Sequence, residues 1–259
     1  YTTMSSDNFY VPDSALAIVA HPDDIEFSCA GTLARWARSG ARISYVLCTS
    51  GDVGIARSDI TREQVVEIRE AEQRVAADIV GAAEVVFLRE PDGLLQPNLE
   101  LRKKLVREIR RFRPEVVLCG DPTLLWASEK YINHPDHRAA AQAALDAVFP
   151  ASGQPHLFED LAKEGLMAFK PRKVFVMGRK SDKSDNLLIS IDETMDDKIR
   201  ALHAHESQFV RGDPELGVRE RSEHLAKDSS MVYAEAFSVI TLENDEDWET
   251  YCGEVYDRK

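Results

Sequence analysis

The chain has 259 residues, with 45 Asp plus Glu against 32 Lys plus Arg and a formal charge of −13, a balance that speaks against a generally basic nucleic-acid-binding surface. Apolar residues at 44% and charged residues at 30% are ordinary for a globular protein and argue against a disordered or membrane-embedded chain. No apolar run approaches the roughly 18–20 residues that cross a bilayer.

Residues 1–9 lack the basic flank and apolar stretch of a signal peptide, so a cytoplasmic address is expected. Residues 15–20 (ALAIVA) then form the first apolar run. Residues 27–38 follow with Leu33, Trp36 and Ala37 at helical spacing, closed by Gly40. A second apolar run occupies 43–48, and a helix is predicted over 61–80 with Val65, Ile68, Val75 and Ile79 on its apolar face. The third run is 84–88, followed by a helix over 99–112 that carries Leu101, Leu105, Ile109 and Phe112 and is stopped by Pro114. The fourth run is 115–119. All four runs read as buried strands.

Strands alternating with helices predict an α/β fold: a Rossmann-like, doubly wound, mostly parallel sheet with helices on both faces. Beyond Pro150 the pattern weakens. Residues 151–170 read as loop with one short helix, 174–177 and 187–191 as strands, and 178–186 as a surface turn between them. Helix returns over 193–209, then comes a charged, exposed, partly helical excursion over 212–230 and an apolar stretch over 236–242. No internal repeat or low-complexity linker marks a boundary, so one domain over 1–259 is expected. Cys29, Cys48, Cys119 and Cys252 are far apart and read as reduced packing residues.

The chemistry concentrates after two of the strands. His21-Pro22-Asp23-Asp24 and then Glu26 follow the first run, at the strand end where open α/β sheets bind ligands. A helix start with Asp24 as cap accounts for one acid, but not for a histidine beside two. Asn133-His134-Pro135-Asp136-His137 follows the fourth run and opens an Ala-rich helix through Val148. Pro135 suits a first turn, and His134 and His137, three apart, then project near one another. In the strand order 3-2-1-4 the first and fourth strands are neighbours, so the two clusters meet at one crevice. Two histidines and an aspartate there form a mixed nitrogen and oxygen set that suits zinc, with an open position for water.

His156 and His224 sit in polar surroundings, and His203 and His205 fall near a helix end that favours positive charge. A dinucleotide site is excluded, because His-Pro-Asp-Asp stands where Gly-x-Gly-x-x-Gly would be required. Gly51-Asp52-Val53-Gly54 reads as a flexible rim of the crevice.

These residues resemble the zinc-dependent N-acetylglucosamine deacetylases of the LmbE-like, or PIG-L, superfamily. The likeness rests on Ala20-His21-Pro22-Asp23-Asp24, on Arg69 with Glu72, on Asp92-Gly93, on His134-Pro135-Asp136-His137, and on His205-Glu206-Ser207-Gln208. Ser28 and Cys29 depart from the glycine or small apolar residues often found there. The resemblance implies a zinc ion (Zn2+) held by His21, Asp24 and His137, with Asp23 as general base, His134 assisting across the metal, and Arg69 and Asp92 contacting the sugar. Asp136 then either favours the imidazolium of His134 or caps the helix that begins there. Arg69 reads equally as a solvated helix residue paired with Glu72 or Glu70. The implied partner is a small-molecule amino sugar, with no nucleic acid and no membrane, and a homo-oligomer is left open. Two rival readings stand beside it: an amidase acting on an amino-sugar thiol conjugate, and a non-catalytic, metal-containing sugar-binding protein.

Overall fold

The computed structural model describes residues 10–129, 131–178, 186–209 and 212–256. Strands β1 (Ser14–Val19), β2 (Arg42–Thr49), β3 (Glu84–Glu90) and β4 (Val116–Gly120) pair in parallel in the order β3-β2-β1-β4, as the alternation of runs predicts. The hairpin β5 (Trp126–Ser128) and β6 (Tyr131–Ile132) stands apart from the main sheet. β7 (Lys173–Met177) extends the sheet in parallel beside β4. Beyond it, β9 (Ala234–Thr241) runs antiparallel to both β7 and β8 (Asn186–Ser190). Seven strands thus form a mostly parallel sheet with the doubly wound reversal between β1 and β4.

Helices cover both faces. On one face, α1 (Asp24–Ser28), α2 (Ala30–Arg38), α3 (Arg62–Val80) and α7 (Met195–His203) pack over a core containing Leu33, Trp36, Ile43, Tyr45 and Phe175. On the other, α4 (Leu99–Phe112), α5 (Pro135–Asp146), the short α6 (Glu159–Lys163) and α9 (Asp245–Tyr256) surround Leu16, Ile18, Val46, Leu105, Ile109 and Phe169. Helix α8 (Glu215–Ala226) packs on β9. Large apolar side chains such as Trp36 and Leu16 are fully buried, each contributing roughly 1.5–3 kcal/mol.

The structure departs from the sequence pattern in four places. The helix expected over 27–38 is two helices joined at Cys29, because the buried Glu235 carboxylate accepts the Gly31 and Thr32 N–H groups and starts α2 afresh. β3 is half-buried rather than buried, since it lies at the sheet edge. α3 buries Val65, Arg69, Glu70, Gln73, Ala76 and Ala77, while Ile68 and Val75 are exposed, so the face it turns inward is partly polar. The helix expected over 193–209 ends at His203, and only a single tight turn, Glu206–Gln208, follows. Of the expected 178–186 turn, residues 179–185 lie outside the described residues. Cys29, Cys48 and Cys119 are buried, free thiols, with Cys252 half-buried. Among the described residues no helix is long and apolar enough to cross a membrane.

Candidate functional site

β1 ends at Val19, and the chain turns sharply through His21-Pro22-Asp23 into α1. Asp23 adopts a left-handed conformation, φ 88° and ψ −22°, which is uncommon for a residue with a side chain. Asp24 does not cap the helix it begins. Its Oδ2 instead accepts the backbone N–H groups of Ala20 and His21, at 3.1 and 2.9 Å, leaving Oδ1 facing His137 Nε2 at 3.0 Å.

α5 brings the second cluster from beyond β4. Pro135 fills the first turn, and His134 stands at the cap with Nδ1 accepting the Asp136 N–H at 3.2 Å. The rings of His21, His134 and His137 then gather, with centroids 4.8 to 5.4 Å apart. One ring nitrogen from each of these three histidines falls within 4.8 Å of the others, as do donor atoms of His21, Asp92 and Asp136.

The partners of each ring orient it. His137 Nδ1 lies 3.0 Å from Asn133 Oδ1, which leaves Nε2 turned to Asp24. His21 Nε2 lies 3.0 Å from Asp92 Oδ1 and 3.2 Å from Asp136 Oδ2, while its Nδ1 is 3.6 Å from Asp24 Oδ2. Asp136 also accepts the N–H groups of Gly93 and Leu95. Asp136 does not cap α5: its hydrogen bonds go to His21 and to the loop after β3, while its Oδ1, 4.0 Å from His134 Nδ1, favours the charged form of that ring but is outweighed by burial and His21. Asp92 likewise faces His21 and the Val53 N–H.

Burial works against a charged His21, yet its hydrogen bonds to Asp136, Asp24 and Asp92 outweigh it and push its pKa up to about 12. His137 is raised as well, against burial, by Asp24. Burial and then the neighbouring His21 lower His134, so it rests neutral with its hydrogen on Nε2. Asp24 is held well below the usual carboxylate range, because His137 and His21 overcome its burial. These carboxylates call for positive charge among the rings. A divalent cation fits that demand: Asp24 turns Oδ1 to His137 Nε2 at 3.0 Å and Oδ2 to His21 Nδ1 at 3.6 Å, and the far nitrogens of these two rings are held by carboxylate and amide oxygens.

Arg69 reaches the same turn from α3. It is 3% exposed, and Nη2 donates to Pro22 O at 2.6 Å and to Asp23 Oδ2 at 3.2 Å. Its expected alternative partners are occupied elsewhere: Glu72 accepts from Ser207, and Glu70 from Ser50, Arg74 and Arg89. Gly51 and Gly54 lie directly against the guanidinium, where any side chain would collide with it, and Gly51 has φ +64°. The Gly51-Asp52-Val53-Gly54 segment is thus packed down on Arg69 rather than being a loose rim. Burial pushes the Asp23 carboxyl up to about 7 against the pull of Arg69.

His205 lies past the end of α7, fully buried, and bonds to Glu26 at 3.2 Å. A position near a helix end gave no sign of this, because the contact spans 179 residues of chain. His203 pairs with Asp213, and His156, with Glu159, is exposed, as is His224. Beside Asp24 and His137 opens a cavity of about 420 Å³, walled by Ile18, Phe27, Leu124, Ala141 and Met177, with Arg221 at its edge.

The family model described as GlcNAc-PI de-N-acetylase (PIG-L) matches residues 16–148. The chain is 32% identical over 194 residues to the diacetylchitobiose deacetylase of Thermococcus kodakarensis, covering 75% of this chain and 69% of that one. It is 27% identical over 231 residues to a probable N-acetyl-alpha-D-glucosaminyl L-malate deacetylase of Bacillus anthracis, covering 84% of this chain and 94% of the other. The solved N,N'-diacetylchitobiose deacetylase of Pyrococcus horikoshii, complexed with its inhibitor, shares the fold at a TM-score of 0.79. That match has 24% identity over 89% of this chain and 84% of that one. The stretch from β1 through α5, which carries both histidine clusters, is the stretch the family model covers, and the chain belongs to the PIG-L family of deacetylases.

Proposed function

We propose that this protein removes the N-acetyl group from an N-acetylglucosamine-containing small molecule or glycoconjugate, with zinc held by His21, Asp24 and His137. The observation that carries the reading is the convergence of these three side chains, from two distant stretches of chain, beside a carboxylate held by a buried arginine. When bound, zinc supplies Lewis acidity toward the amide carbonyl and toward water. Asp23 takes a proton from the attacking water as the new C–O bond forms. The His134 Nε2–H donates a hydrogen bond to the carbonyl oxygen, and keeps its proton, as negative charge builds there. When the C–N bond breaks, the proton held by Asp23 passes to the leaving nitrogen, and the products are acetate and a free amino sugar.

Arg69 is buried with its guanidinium on Pro22 O and Asp23, so we assign it to holding Asp23 in place. Asp92, turned to His21, sets that ring's orientation. This shifts both residues from sugar contacts to support of the reacting groups. The sugar occupies the cavity beside Asp24 and His137, whose apolar wall suits the carbon face of a pyranose.

Acetate release from a panel of N-acetylated amino sugars and amino-sugar thiol conjugates tests the proposal. Release is expected to stop with a chelator and return with added zinc, and Asp23→Asn is expected to lower turnover while zinc stays bound. Turnover at the parent rate in the chelated protein or in Asp23→Asn overturns the mechanism, and cleavage of the conjugates alone replaces the substrate.

A further inference from the structure

Behind Asp23 lies a run of buried polar groups that the reaction above does not use. The Asp23 N–H donates to Gln73 Oε1 at 3.0 Å, Gln73 Nε2 donates to Glu26 Oε1 at 3.0 Å, and His205 Nε2 lies 3.2 Å from Glu26 Oε2. Gln73, Glu26 and His205 are each 0% exposed. They come from α3, from α1 and from the segment after α7, so the run ties three separate parts of the chain to the turn that carries Asp23.

Donor and acceptor chemistry gives this run one direction. An ionised carboxylate only accepts, so Glu26 turns the amide group of Gln73 toward itself, and the Gln73 carbonyl therefore faces Asp23. With the amide reversed, two donors would meet at the Asp23 N–H, leaving a buried group unsatisfied. His205 must carry its hydrogen on Nε2 for the same reason. Its Nδ1 is buried without a hydrogen-bond partner among the described residues. An apolar ring would fill that space without leaving a polar atom unpaired, so what the imidazole contributes is its bond to Glu26.

The residue at the head of the run needs such support. At φ 88° Asp23 sits in a conformation that is strained for a residue with a Cβ and persists only where its surroundings impose it. We propose that Gln73, Glu26 and His205 are positioning residues, which hold the backbone of Asp23 in this conformation and so aim its carboxylate at the substrate. This rests on the reading of Asp23 as the general base. Arg69 fixes the carboxylate and the Pro22 carbonyl from one side, and the Gln73 amide fixes the Asp23 N–H from the other.

A polarity swap tests it on the zinc-loaded, full-length protein. Gln73→Glu sets two carboxylates against each other, and kcat is expected to fall about 100-fold, the scale of a 1 Å misplacement, with KM and zinc per chain unchanged. In the double variant Glu26→Gln/Gln73→Glu, the new amide donates to the new carboxylate, which still accepts from Asp23. All three bonds return, and kcat is expected within about 5-fold of the parent by the same geometric argument. A loss that tracks missing zinc or a double variant no better than an impaired single one overturns the proposal, as does a parental kcat in both Gln73→Glu and His205→Phe, since a proton shared by the two buried carboxylates restores the donor in Gln73→Glu alone.

Should Gln73→Glu fail to fold, His205→Phe probes the run without adding a charge. A kcat lowered about 10-fold at an unchanged or higher Tm supports positioning, and a parental kcat overturns it. Asp23→Asn separates this inference from the one beneath it. Parental turnover in Asp23→Asn overturns the base assignment, whereas loss there with parental turnover in both Gln73→Glu and His205→Phe overturns the positioning run alone.

Discussion

Two polar clusters meet at Pro22-Asp23, and they differ in how they face water. On one side the side chains of His134 and His137 are 38% and 32% exposed, and the His137 ring lines a cavity. On the other, Glu26, Gln73 and His205 are closed off completely. Both are rich in histidine and acid, and both link distant parts of the chain. Only the open one combines converging ring nitrogens with access for a ligand. Apart from His205 Nδ1, the closed one has its bonds already made within the protein and no opening to solvent, so it can hold a geometry but cannot take up a substrate.

The contrast can be broken most severely from the open side. His137→Ala is expected to lower acetate release by at least about 1,000-fold through loss of a metal ligand, with zinc per chain reduced and chemical unfolding little changed. A large fall in unfolding free energy at intact zinc content would move His137 from the open class to the closed one. Lys198→Met addresses a third, remote cluster, where Lys198 Nζ meets Glu235 Oε1 at 2.6 Å and both side chains are 3% exposed or less. Breaking that pair is expected to cost about 3 kcal/mol of stability, read by urea unfolding, while kcat per folded, zinc-loaded molecule stays at the parent value.

The smallest effect is expected at Glu70, buried at the edge of the site. Burial would raise its carboxyl, but Arg89, Ser50 and Arg74 together lower it from 4.5 to about 2. The folded state therefore binds this proton less readily than the unfolded state. The stabilisation is complete above about pH 4.5 and is lost as pH falls toward about 2. Its arginine partners are largely exposed, so Glu70→Gln is expected to remove only about 1 kcal/mol at neutral pH. Urea midpoints measured from pH 7 to pH 2 should show a shallower acid slope in the variant, and an identical slope would show that the pair contributes nothing.

Apolar runs revealed the strands because a strand covered on both faces has few alternatives to a continuous apolar sequence. That legibility failed where the site imposes its own demands. α3 turns Arg69, Glu70 and Gln73 inward beside Val65 and leaves Ile68 and Val75 in solvent, so its apolar spacing marked only part of the inward face. The polar residues are buried because each meets a partner from another element: Asp23 for Arg69, Ser50 for Glu70, Glu26 for Gln73. Asp136 shows the same limit. Its neighbours in sequence suggested a cap or a partner for His134, but its hydrogen bonds go to His21 and to the loop after β3.

By itself, the sequence determined the alternation of strands and helices and the placing of two histidine and acid clusters at strand ends, which the common doubly wound order makes neighbours. Those follow from local periodicity and from the handedness of strand-helix-strand connections, which act over short stretches of chain. Tertiary structure alone decided which atom of each side chain faces which partner. It turned Asp24 back onto Ala20 and His21, set Asp92 and Asp136 against one ring, and brought His205 across 179 residues to Glu26. Such choices depend on burying charge only where a partner waits, and that partner is supplied by folding rather than by sequence proximity.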